Sequence, residues 1–135
     1  MRVLAGVVLW LSGLSLVAFG VMFLAAPLAT MAMAGIVLEG AVAATELRAF
    51  YGGLELALGL VVVACALDRA RWRDGLALTF AIFAGIGLSR LAGMIASGAD
   101  TPFLRFALAT ELALATLAAV ALWRRAHEGA PPSAR

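Results

Sequence analysis

The sequence predicts an all-α protein, an antiparallel four-helix transmembrane bundle with both termini in the cytoplasm. Three observations carry that expectation. Hydrophobic residues make up 64% of the 135 residues, charged residues only 13%, and the mean hydropathy is +1.05. A soluble domain of this length has too little interior to hide so much apolar surface. Four apolar runs, each near the roughly 20 residues that cross a bilayer core, are separated by a mildly apolar connection broken by Gly35, Glu39 and Gly40, by a charged loop and by a short turn. The arginines, finally, gather at the ends of those runs.

The length suits one domain, residues 1–125, followed by a disordered cytoplasmic tail over 126–135. The first span is expected over 3–26. A cleaved signal peptide ending near Ala32-Met33-Ala34 is the competing reading. The apolar run is longer than a signal core of about 7–15 residues, which favours a retained span. Ser12, Gly13, Ser15 and Gly20 would let a neighbouring helix approach closely. Pro27 ends this helix, and a short interfacial helix fits Leu28 to Ala34.

Thr45 is a good helix N-cap, and Glu46 in the first turn suits the positive end of the helix dipole. The second span is accordingly placed at 46–67. It stops at the charged loop Asp68 to Asp74, where Trp72 is expected as an interfacial anchor. The third span is placed at 75–97 and the fourth at 103–123, closed by Arg124 and Arg125 with Trp123 in the interfacial belt. Arg2, Arg69, Arg71, Arg73, Arg124 and Arg125 then share one side, and Arg105 stands alone on the other. The positive-inside rule puts the richer side in the cytoplasm, here of a bacterial inner membrane.

All ten basic residues are arginine; those at the segment ends read as topology signals, and they form no surface for nucleic acid. The bilayer is the partner the composition demands; a second membrane subunit or another copy of the chain is the other partner class left open. Cys65 is the single cysteine, so neither an intramolecular disulfide nor a cysteine metal cluster can form. His127 lies in the tail. No metal-ligand motif, nucleophile elbow or nucleotide loop occurs, so no catalytic residue and no cofactor is assigned.

The informative stretch is Glu46 to Gly59, where polar residues interrupt an apolar span. On a regular helix Arg48, Tyr51, Gly52, Glu55 and Gly59 share one face, and Glu46 points away. Glu55 lies about 14 Å past Glu46, Arg90 about 10 Å before Ser97, and Glu111 about 12 Å past Phe103. Three charges from three spans therefore reach a similar depth. Each would cost about 2.5–3.5 kcal/mol facing lipid, so they should turn inward, with Arg90 between Glu55 and Glu111 and Arg48 within reach. Small residues at Gly52, Gly59, Ala107, Ala115 and Ala118 would admit close helices or leave a cavity.

Such a cluster has several readings. It can be an ion-pair network that fixes register, a pocket for a small ligand or lipid in an accessory membrane protein, or part of a small transporter-like or proton-coupled carrier. An enzyme acting on a lipophilic substrate also fits, although nothing specifies a reaction. The predicted pocket is lined by Arg48, Tyr51, Glu55, Arg90 and Glu111. The run from Glu46 to Gly59, with its Arg-x-x-Tyr-Gly-Gly core, and Arg90 late in the third span resemble domain-of-unknown-function family 4345. That resemblance covers nearly the whole chain and matches Arg48, Tyr51, Gly52, Gly53, Glu55, Gly59 and Arg90. It implies a small four-span bacterial membrane protein and names no substrate.

Overall fold

The computed structural model describes residues 2–128, which are helical apart from short connections and contain no strand. The helices are α1 (Arg2–Ala25), α2 (Pro27–Met33), α3 (Ala41–Leu47), α4 (Glu55–Leu67), α5 (Trp72–Ser97) and α6 (Pro102–Glu128). Between α3 and α4 the chain stays helical but widens into a π-helical segment, Arg48–Leu54. Four stretches are long and apolar enough to cross a membrane: Val3–Ala25, Ala41–Leu67, Arg69–Ser97 and Pro102–Arg125. Large side chains such as Val7, Leu11, Phe19, Leu60 and Phe106 project outward from them, as lipid-facing residues do.

Boundaries follow local chemistry. Pro27 opens α2, and its missing N–H interrupts the hydrogen-bond ladder continuing from α1. The Thr30 hydroxyl adds a second donor to the carbonyls of Ala26 (2.8 Å) and Met22 (3.3 Å) beside that break. The second span starts at Ala41, five residues before the expected Glu46. Gly40 (φ 92°) precedes it, and Thr45 is no cap: its hydroxyl donates to the carbonyl of Ala41. Glu46 therefore sits a turn inside the helix. In the third span α5 itself starts at Trp72 and takes in Arg73 and Asp74; it ends at Gly98 in the left-handed region (φ 69°), where glycine avoids a Cβ clash. Thr101 caps α6, its hydroxyl oxygen accepting from the Leu104 N–H, with Pro102 at the first helical position. That last helix continues to Glu128, so residues 126–128 of the expected tail are helical; 129–135 lie outside the described residues.

The tightest packing joins α1 to α4 and its π-helical extension. A Cβ on Gly20 would come within 2.6 Å of the Leu56 amide nitrogen, one on Gly59 within 2.7 Å of that of Val17, and one on Gly13 within 2.8 Å of a Val63 methyl. Gly52 meets Leu24 in the same way. Residues ascending α1 thus meet residues descending α4, at a separation only glycine allows. Near the Asp68 to Arg71 turn all four long helices share one core, built on Val8, Leu9, Val62, Leu76 and Ala118. Midway the core reduces to Leu16, Phe83 and Ala115. At the far end Phe23, Met31 and Leu47 pack without α5 or α6. The bundle is closed at one end and splayed at the other.

Trp72 secures the closed end. Its indole N–H donates to the Ala66 carbonyl at 3.0 Å, and the guanidinium groups of Arg69 and Arg125 lie 5.9 and 5.4 Å from the centroid of its ring system.

The glycine contact can be tested by stability. Gly20→Val should destabilise the bundle by at least about 1–3 kcal/mol, because its side chain would meet backbone that cannot retreat. Gly53→Ala, whose Cβ would meet nothing closer than the Arg48 carbonyl oxygen at 3.6 Å, should melt with or above the parent in detergent. Equal melting of the two variants would contradict the packing.

Candidate functional site

The polar residues of the membrane interior divide into a closed pair and an open groove. Arg90 on α5 and Glu111 on α6 form the pair. The Arg90 Nε donates to both carboxylate oxygens of Glu111 (3.1 and 2.9 Å), and Nη2 donates to Oε1 at 2.6 Å. This forked geometry is the strongest a guanidinium offers a carboxylate. Glu111 is buried and the Arg90 side chain is 25% exposed. Gly87, one turn earlier on α5, makes the approach feasible: a Cβ there would stand 3.3 Å from that of Glu111.

The groove lies on the splayed side, between the π-helical segment with α4 on one wall and α5 on the other. It has a volume of about 580 Å³. Leu16, Leu54, Leu58, Ile82 and Ile86 supply much of its apolar lining, and Glu46 and Glu55 are its only charged residues. Gly85 leaves open space on the α5 wall, where a Cβ would touch nothing within 4 Å. Glu55 is half-buried near the middle of the Ala41–Leu67 span, and its carboxylate has no hydrogen bond or ion pair among the described residues.

Of the residues expected to form one cluster, Arg90 and Glu111 are brought together. The Tyr51 ring packs on Phe23 (5.0 Å between centroids) and borders the groove. Glu55 lines the groove without joining the pair. Arg48 does neither: its Nε donates to the Leu24 carbonyl at 3.2 Å, placing a cation at the C-terminal end of α1. Gly52 is buried against α1, as is Gly59. The pocket therefore contains Tyr51 and Glu55 from the expected five and leaves out Arg48, Arg90 and Glu111.

Two departures explain the difference. Counting depth from Glu46 put Glu55 too near the surface, since the helix begins at Ala41. The π-helical segment then changes which residues share a face. With i→i+5 closure each residue turns through less than the about 100° of an α-helical residue, so Glu46 returns to the side of Glu55. Glu46 is thus a groove residue that the helical wheel had pointed away. Only the adjacent Gly52 and Gly53 hint at a widened turn. Among the described residues, no three His, Cys, Asp or Glu side chains gather as a metal site would require.

Four apolar helices of spanning length enclosing a forked ion pair define a small multi-pass membrane protein. The chain belongs to the family described as Domain of unknown function (DUF4345), whose profile matches residues 4–122. No curated protein and no solved structure matches it.

The pair and the lone carboxylate should respond differently to mutation. Arg90→Leu strands a buried Glu111 and should cost about 3–5 kcal/mol, whereas Arg90→Leu with Glu111→Leu should recover most of that loss. Glu55→Gln breaks no contact and should melt close to the parent. A full-sized loss in the double variant would show that the pair is not an isolated unit.

Proposed function

We propose that this protein binds a lipophilic small molecule in the groove between the π-helical segment and α5, as an accessory or ligand-binding component of the membrane. The observation that carries the reading is the unpartnered Glu55 in an otherwise apolar groove near the middle of a span. A structural charge at that depth ordinarily has a protein partner, as Arg90 and Glu111 do. Those two hold α5 and α6 in register and leave Glu55 for something outside the chain.

The reading includes an orientation: a bacterial inner membrane, antiparallel spans, and both termini with the Asp68 to Arg71 turn in the cytoplasm. The arginine bias supports it. With Cys65 replaced, a cysteine introduced at Gly40 or Ala99 should label with an impermeant maleimide added outside cells, and one at Ala70 should not. Labelling at position 70 would invert the topology.

Binding itself can be measured with the neutral fluorophore phenylnaphthylamine and protein in lipid nanodiscs. Gly85→Phe fills the groove from a position with room for a side chain and should weaken saturable binding by about tenfold or more. Gly93→Phe, also in open space on α5 but outside the groove lining, should not. Equal binding in the two variants would remove the groove from consideration.

A further inference from the structure

We infer that the groove's ligand is a lipophilic monocation without an anionic group, held with Glu55 as its counter-ion; this rests on the groove reading above and adds the ligand's charge. Every charged residue lining the groove is a carboxylate. Of the nearest arginines, Arg90 is committed to Glu111 through three hydrogen bonds, and Arg48 is directed to the Leu24 carbonyl outside the lining. Among the described residues no cation pairs with Glu55. Leu54, Leu58 and Ile82 surround the same space, so a bound ammonium would gain a counter-charge in a medium that screens poorly, while its hydrocarbon part met apolar walls.

Two further features fit the same chemistry. Phe50 and Tyr51 line the groove, and aromatic faces attract cations, quaternary ammonium groups included. Glu46 is exposed in the same groove, nine residues before Glu55 toward the α3 end, where its charge would draw a cation inward. The two carboxylates also select against phospholipids. A headgroup that places ammonium at Glu55 brings its phosphate into the same acidic, poorly screened space. The occupant is therefore a free lipophilic amine or quaternary ammonium compound and not a lipid of the bilayer.

Competition against phenylnaphthylamine in phosphatidylcholine nanodiscs tests the charge. Dodecyltrimethylammonium and dodecanol share a chain length, and their partitioning into the bilayer cancels when their ratio is compared between protein variants. The cation should compete better than the alcohol in the parent, and Glu55→Gln should cut that advantage about tenfold. Glu46→Gln should cut it less, and gives a second reading should the Glu55 variant fold poorly. Short-chain phosphatidylethanolamine should not compete. An unchanged cation-to-alcohol ratio in both variants would overturn the inference while leaving a groove that is sensitive to Gly85→Phe. Phosphatidylethanolamine competing as well as the quaternary amine would overturn the restriction to monocations. Absence of saturable phenylnaphthylamine binding in the parent would overturn both this inference and the reading on which it rests.

Discussion

The close contact between α1 and α4 sets the geometry of the rest of the bundle. Gly13 and Gly20 on one helix, with Gly52 and Gly59 on the other, bring backbone against backbone over most of their length. In lipid there is little hydrophobic gain from joining two apolar helices, so association depends on packing at short range. Once α1 is spent on that contact, α5 and α6 pair with each other through Gly87 and the Arg90–Glu111 fork. The two helix pairs share a full core only near Trp72. The groove is the space left where they part.

Polar groups in this protein serve three different purposes. Arg48 and Thr30 donate to carbonyls around the end of α1, near the break at Pro27. These bonds belong to the backbone problem that any apolar solvent imposes. Arg90 and Glu111 neutralise each other across two helices. Glu46 and Glu55 do neither, and that contrast separates them from the other charges.

The membrane class, the number of spans and a short helix after the first span, expected at 28–34 and found at 27–33, could be read from the chain because hydropathy and proline act locally. The meeting of Arg90 with Glu111 was legible from depth alone, since α5 and α6 are regular and joined by a short turn. The surroundings of Glu55 were not. A helical wheel assumes one angular step per residue, and seven residues of π-helix break that assumption at the segment carrying most of the polar side chains. Arg48 was equally out of reach. Its partner is a backbone carbonyl 24 residues away, and carbonyls leave no mark on a sequence.

The π-helical segment also decides which changes of the chain the groove would notice. A π turn holds more chain per revolution than an α turn, so removing one residue from Arg48–Leu54 would let the segment relax into ordinary α-helix without interrupting the span. Hydropathy would barely change, and the protein would still insert. Glu46 and everything before it on the helix would keep nearly the same angle to Glu55, because eight α-helical steps of about 100° turn the chain about as far as nine that include a widened segment. The two carboxylates would still face one space. What would part the two carboxylates is the same segment relaxing to α-helix at full length, since nine ordinary helical steps leave Glu46 on the face opposite Glu55.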